Sequence, residues 1–229
     1  KAAREAMRRE GLKPRGKEPG PLPEEADKKA QINFTDPESR IMKTRNGYEQ
    51  CYNAQAAVET ESMLVVGEYV TEHANDKREM EEHHRSLKDK GIEVETALFD
   101  SGYYNGEQIE KVEAEGVRVL VATGRQAHGR RVEDLEKRDD PEEPPEDAPL
   151  KDRMAHRLRT KAGREEYAKR KQTVEPVFGI IKSVMGFRQM SMRGKEKVQT
   201  EWTLVCLSYN LKRLFALKGE LCSEIAATA

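Results

Sequence analysis

The order of apolar runs along the chain predicts a mixed α/β fold in which helices pack against a β-sheet. Two runs rich in Val, Leu and Ala, at 51–60 and 62–72, flank one short turn, which is typical of an antiparallel hairpin. A short strand, TALF, that runs into a turn within 95–105 and an apolar strand at 117–124 alternate with segments of helical period. A long segment at 196–217 has a wide apolar stripe and is predicted to be a helix that belongs in the core.

The composition limits what surrounds this core. The chain has 229 residues, and charged and hydrophobic residues each make up 36% of it, so part of the chain is expected to lie outside any core. The net charge of −1 neither favours nor excludes a nucleic-acid partner. Three widely spaced cysteines give no disulfide framework or metal spacing, which indicates thiols in a reducing cytoplasm. With no signal peptide and no apolar run near 18 residues, no membrane partner is expected.

Several segments are predicted to lie outside the packed domain. Residues 1–31 combine charges with prolines and are predicted to be a linker. The chain begins without Met inside a charged, helix-like pattern, which we interpret as a piece of a longer protein. A packed domain is predicted at 32–217, with a polar insertion at about 125–162 and a tail at 218–229. Within the insertion, the acidic, proline-rich run 136–149 is not expected to form regular structure.

Two helices are predicted between the strands. The first, at 73–92, is expected to begin near Asn75 or Asp76 and to end at Gly91. Asp76 is interpreted there as an N-cap. The second is predicted at 107–116 and ends on a glycine.

The long helix at 196–217 is predicted to be apolar over most of its surface and therefore to belong in a core. Trp202 is interpreted as a core residue on its apolar stripe and not as a platform for stacking bases. The stripe consists of Val198, Trp202, Val205 and Tyr209, and it is widened by Leu204, Leu207, Leu211 and Leu214.

A single carboxylate, Glu175, lies among cations in the stretch 163–182, GREEYAKRKQTVEPVFGIIK. At helical spacing it shares a face with Lys171 and Lys182, while Pro176 predicts a kink or a restart of the helix. The opposite face is predicted to be apolar, formed by Val174, Val177, Phe178 and Ile181. Two interpretations remain open: a solvated amphipathic helix with ordinary ion pairs, or a carboxylate that grips a divalent metal beside a phosphate.

A second carboxylate, Asp100, ends the predicted strand TALF, and Gly102 lets the backbone turn away after it. The C-terminal end of a strand is where open α/β sheets place their sites, although a turn-making aspartate is an equal alternative. Brought to one sheet edge, Asp100 and Glu175 could bind Mg²⁺ and leave positions for water and phosphate oxygens. The basic run 151–171 is the best phosphate-contacting surface in the chain.

Three blocks in order resemble the C-terminal half of bacterial insertion-sequence transposases of the DDE class. These blocks are DPESRIMKTRNGYEQCYNAQAAV, LFDSGYYN, and Y-x2-R ahead of V-E-P-x-F-x-x-I-K, and together they span roughly residues 32–215. The resemblance implies a ribonuclease H-like mixed sheet flanked by helices. It also implies DNA transposition by metal-dependent phosphoryl transfer, with Mg²⁺ as cofactor and Mn²⁺ as a substitute. The implied partners are DNA, as element ends and target, and further copies of the chain when they assemble on DNA.

The resemblance also assigns roles to individual residues. Asp100 matches the family's second acidic ligand and Glu175 its third, so both are expected to be catalytic metal ligands. The residues expected to contact the DNA backbone or to orient the glutamate are Tyr167, Arg170, Lys171 and Lys182. Lys171 is included because four residues, and not the usual three, separate Arg170 from Glu175.

One part of the family pattern has no counterpart. The first aspartate lies on the first core strand, usually as Asp-Gly-Thr, and no such strand is found here. Asp36 precedes a proline and is interpreted as a turn residue. We therefore expect a truncated copy that is inactive alone. Two alternatives stay open: a non-catalytic DNA-binding or assembly fragment, and a different Mg²⁺-dependent nuclease of the same broad fold.

Overall fold

The computed structural model describes residues 32–44, 46–124, 140–145 and 147–228, with side chains up to residue 219. By its internal contacts the chain divides into Lys1–Ile32 and Asn33–Ala229, and every element below belongs to the second unit. The predicted linker at 1–31 lies outside the described residues, as do residues 125–139 and 146 of the predicted insertion.

Six strands form three separate pairs. They are β1 (Arg40–Thr44), β2 (Gly47–Cys51), β3 (Asn53–Val58), β4 (Val65–Thr71), β5 (Thr96–Phe99) and β6 (Arg118–Val121). β1 pairs with β2 and β3 with β4, both antiparallel, whereas β5 and β6 are parallel. The predicted hairpin is confirmed, but the single mixed sheet is not formed among the described residues, because β3 and β5 each lack a ladder partner on one edge.

Five helices accompany the strands. They are α1 (Met80–Asp89), α2 (Gly106–Ala114), α3 (Leu150–Arg159), α4 (Lys161–Gly179) and α5 (Lys195–Thr228), with 3-10 turns at Asp76–Arg78 and Ser101–Tyr103. Gly91 and Gly116 follow α1 and α2 with φ of 72° and 90°. Only glycine adopts this left-handed conformation without steric cost, so both glycines end their helices as predicted.

Helix α4 runs through Pro176 without restarting and passes into a wider π turn at Ile180–Val184. Its buried stripe is formed by Thr173, Val177 and Ile181. The predicted stripe omitted Thr173 because its hydroxyl is polar. That hydroxyl donates to the Lys169 carbonyl at 2.9 Å, which satisfies it inside the core.

The apolar residues form two clusters. In the first, α5 packs on β4 through Val198, Trp202, Cys206 and Tyr209. In the second, α1, α2, α3 and β6 pack around Met80, Ile109, Val119 and Met154. The predicted polar insertion at 125–162 thus includes a helix, α3, whose Met154 is fully buried.

The prediction that α5 belongs in the core is confirmed for one face of the helix, but the leucines that widen its apolar stripe are not buried. One face lies on β4, and Cys206 replaces the predicted Val205 among its buried residues. The widening residues are about half exposed: Leu204 54%, Leu207 52%, Leu211 60% and Leu214 49%. A helix that meets a sheet on one side can bury only that side, however apolar the other is.

Candidate active site

A cleft of about 830 Å³ lies between the unpaired edges of β3 and β5. Residues 53–58 of β3 and 96–99 of β5 line it, together with part of α4. Because the pair β3–β4 is not joined to the pair β5–β6, this cleft separates these two strand pairs. The carboxylates Asp76, Asp100 and Glu175 all contribute to its lining.

Asp100 follows the last residue of the parallel strand β5, as predicted. Its side chain caps the next turn, since Oδ1 accepts a hydrogen bond from the Gly102 amide at 2.7 Å. A Cβ placed on Gly102 would lie 2.9 Å from Asp100 Oδ1 and 3.4 Å from Asp76 Oδ2. A side chain at position 102 would therefore crowd the carboxylate oxygens of both Asp76 and Asp100, and glycine leaves them room.

The interpretation of Asp76 as an N-cap is wrong. Asn75 is the cap, and its side chain accepts from the Lys77 amide at 3.3 Å. Asp76 Oδ1 instead accepts from Asn53 Nδ2 and Gln55 Nε2, each at 2.7 Å. Sequence reasoning missed this site residue, although alternation along a strand places Asn53 and Gln55 on one face and could have indicated a shared partner.

Gln55 links this carboxylate to a buried ring cluster. Its Oε1 accepts from the Tyr103 hydroxyl and lies 3.0 Å from His83 Nε2. Burial, opposed by the charge of Asp76, lowers the pKa of His83 to about 4, so the imidazole is neutral near pH 7. Burial first, and then the charges of Asp76 and Asp100, raise the pKa of Tyr103. Tyr103 also packs against Phe99, with ring centroids 5.0 Å apart, and so has a packing role.

On the α4 side of the cleft, Glu175 pairs with Arg170. Arg170 Nη2 lies 3.5 Å from Glu175 Oε1, and the Glu175 side chain is 59% exposed. Arg170 also lies over the Tyr167 ring, 5.7 Å from its centroid. The Tyr167 hydroxyl donates to the Phe99 carbonyl at 2.8 Å, which ties α4 to the end of β5 next to Asp100.

Of the two lysines predicted to contact the DNA backbone, one lines the cleft and the other does not. Lys182 lines the cleft, and its Nζ lies 5.5 Å from the Phe178 ring centroid. Lys171 is exposed and lies outside the lining of the cleft. The basic partner of Glu175 is thus Arg170, despite the longer spacing, because the long guanidinium side chain reaches along the helix.

Asp36 is a structural residue away from this cleft. It is 6% exposed, and its Oδ1 accepts from the Tyr52 hydroxyl at 2.6 Å. Burial acts to raise its pKa, but the bonds from Tyr52 and from backbone amides outweigh burial, and the net pKa is lowered. Its amide donates to the Asn33 carbonyl within a turn, which confirms its interpretation as a turn residue.

The cleft offers oxygen donors that fit a divalent cation. Within the described ranges, no three His, Cys, Asp or Glu side chains converge as a complete metal site. However, Mg²⁺ is usually held by one or two carboxylates, with water and substrate oxygens completing its shell. The oxygens that flank Gly102 lie within roughly 6 Å of each other, a separation that one ion or a pair about 4 Å apart can bridge.

Among the helices that the structure describes, none is both long and apolar enough to cross a lipid bilayer. Searches of curated proteins and of solved structures each returned no match. The family model described as "Transposase DDE domain" matches residues 21–211, most of the chain. That span contains the whole cleft, from Asn53 to Lys182. The chain therefore belongs to the family of transposases with a DDE domain.

Proposed function

We propose that the cleft between β3 and β5 is a catalytic site for DNA transposition, at which phosphoryl transfer cleaves and joins DNA strands. One observation carries the proposal. Asp100 and Glu175, far apart in sequence, line this one cleft together with the cations Arg170 and Lys182. Carboxylates and cations in one cleft suit a metal-dependent reaction on phosphate.

The chain's own residues orient both carboxylates. The Gly102 amide holds Asp100 at the end of β5. Arg170, itself only 17% exposed, holds Glu175, whose side chain is open to an ion from solvent. Asp100 and Glu175 are accordingly assigned as catalytic metal ligands, and the Tyr167 bond to Phe99 fixes the distance between their two elements.

The cations of α4 and the turn after it are assigned to the DNA backbone. Arg170 and Lys182 line the cleft and would meet phosphate oxygens there, while Lys171 extends the positive surface outward. Tyr167 supports Arg170 through its ring. Contacts of this kind position DNA without reading its sequence, so they suit both element ends and target.

The expected cofactor is Mg²⁺, with Mn²⁺ as a substitute, since transposases of this family generally use divalent ions. When bound, such an ion lowers the pKa of the attacking water and offsets charge on the phosphate. Asp100 would hold it with a carboxylate oxygen from the end of β5, and Glu175 with one from α4. Copies of the chain are expected to assemble with each other on DNA.

The cleft also provides the place for a further strand. The family implies a ribonuclease H-like sheet, and a strand between β3 and β5 would join the two pairs into one mixed sheet. Among the described residues, β3 pairs only with β4 and β5 only with β6, so two rows of backbone groups border the cleft. The resemblance places the family's first aspartate on such a strand. Residues 1–229 are therefore proposed not to cleave DNA unless a strand that carries this aspartate joins the two pairs.

A plasmid-nicking assay tests this proposal. The chain alone is expected to give no nicks in Mg²⁺ or Mn²⁺, whereas the chain extended at its N-terminus by an Asp-Gly-Thr strand is expected to nick DNA. Asp100→Asn and Glu175→Gln should each abolish nicking by the extended chain. Nicking that survives both substitutions would refute the assignment of the site.

The alternative is a DNA-binding or assembly fragment without chemistry, favoured by the lack of three converging ligands within the described ranges. Such a fragment would bind DNA with a steep salt dependence, because cations displace condensed counterions. It would show no metal-dependent nicking even when the strand is supplied. Joining of a cut 3′ end to target DNA would distinguish a transposase from a nuclease of the same broad fold.

A further inference from the structure

The Asp76 carboxylate is held by one oxygen and open at the other. Oδ1 accepts from both Asn53 Nδ2 and Gln55 Nε2, at 2.7 Å each. Among the described residues, Oδ2 has no hydrogen-bond donor, and it faces Gly102 at 3.4 Å from the Cβ position. The free oxygen is thus directed to the same backbone position as Asp100 Oδ1.

The orientation of the Gln55 amide is fixed by its other neighbours. Gln55 is 3% exposed. Its Oε1 accepts from the Tyr103 hydroxyl and from the Nε2–H of neutral His83. Its backbone carbonyl accepts from Trp202 Nε1 at 2.8 Å. With the oxygen occupied on both sides, the Gln55 NH₂ must face Asp76, so this part of the core determines where the Asp76 carboxylate points.

Two carboxylate oxygens within roughly 6 Å of each other repel unless a cation lies between them. We infer that Asp76 is an additional ligand of the divalent cation, through Oδ2, together with Asp100. The inference rests on the proposed function, which places that cation at Asp100 and Glu175. Asn53 and Gln55 then orient the ligand, as outer hydrogen bonds do around metal-binding carboxylates.

A purely structural role is the competing explanation, because Asp76 also ties β3 to the turn before α1. Asp76→Asn separates the two roles. The asparagine carbonyl can still accept from Asn53 and Gln55, whereas its NH₂ replaces Oδ2 and cannot ligate a metal. The variant should be at least as stable as the wild type in EDTA, because one of two like charges is removed.

The test is Mn²⁺ binding, measured by calorimetry and by the electron paramagnetic resonance of free Mn²⁺, on the full chain without DNA. We expect Asp76→Asn to weaken binding by about tenfold or more. The matched control is Asp89→Asn, an exposed carboxylate at the end of α1 that lies outside the cleft lining and should change nothing. Asp100→Asn is the positive control and should weaken binding as well.

The outcomes separate this inference from the function it rests on. Wild-type affinity in Asp76→Asn, with weakened binding in Asp100→Asn, would overturn the role of Asp76 and leave the proposed site intact. Unchanged affinity in both variants would overturn the site itself. If Asp76→Asn does not fold, the Asp carboxyl ¹³C resonances of the wild type decide the question. Mg²⁺ should shift those of Asp76 and Asp100 together, and a shift of Asp100 alone would overturn the inference.

Discussion

Gly102→Ala should damage metal binding while leaving the stability of the fold almost unchanged. The new Cβ would lie 2.9 Å from Asp100 Oδ1, closer than such atoms approach, so the Asp100 carboxylate must move. Loss of its bond to the 102 amide costs about 1 kcal/mol, as for other capping residues. Against this, replacing glycine by alanine restricts the unfolded chain and stabilises the fold by about 0.4–1 kcal/mol. Gly102 has no positive φ, so no backbone strain is added.

These two effects nearly cancel, and we expect the free energy of unfolding, measured with urea, to change by less than about 1 kcal/mol. Mn²⁺ affinity should fall by about tenfold, because Mg²⁺-type sites require near-ideal oxygen positions and both carboxylates border the new methyl group. Gly106→Ala is the matched control, since its Cβ would meet only Leu150 Cδ2 at an ordinary 3.5 Å. If both variants bind Mn²⁺ as the wild type does, the carboxylates of Asp76 and Asp100 beside Gly102 do not hold the cation.

Three further predictions concern the surrounding fold. The pKa of His83 is about 4 in the folded chain and about 6.5 in the unfolded chain, so between these pH values only the unfolded chain binds a proton at His83. The free energy of unfolding should therefore fall by up to about 3 kcal/mol as the pH is lowered from 6.5 to 4. His83→Gln should flatten that part of the profile of unfolding free energy against pH, and an unchanged slope would contradict the burial argument. Leu211→Ala should cost less than about 1 kcal/mol in denaturant unfolding, whereas Trp202→Ala should cost about 3–5 kcal/mol. Similar losses in the two variants would show that the outer face of α5 is covered. Tyr167→Phe should lower the free energy of unfolding by about 1 kcal/mol, because it removes the hydrogen bond to the Phe99 carbonyl. A variant as stable as the wild type would show that this hydrogen bond does not stabilise the fold.

The sequence alone determined most of the local elements and the position of Asp100 at the end of its strand. The order of β3 to β6, α1, α2, α4 and α5 followed from apolar periodicity, whereas the pair β1–β2 and helix α3 were not predicted. Gly91 and Gly116 ended their helices because left-handed backbone favours glycine at any position. Asp100 was placed correctly after β5, because a strand that ends in Asp-Ser-Gly leaves its carboxylate at the turn. These features depend on neighbours within a few residues, so they can be read from the chain directly.

Only the tertiary structure decided which groups meet. Asp76 was interpreted as a cap because Asn75 and Asp76 are both good caps, and the choice between them depends on Asn53 and Gln55, more than 20 residues away. The leucines of α5 match a core helix in pattern, yet burial depends on what packs against each face, and β4 covers only one. The facing edges of the pairs β3–β4 and β5–β6 likewise remain unpaired, since a sheet forms only where strands are brought side by side in space. Sequence patterns record what a residue can do locally, and its partners are set by contacts between distant segments.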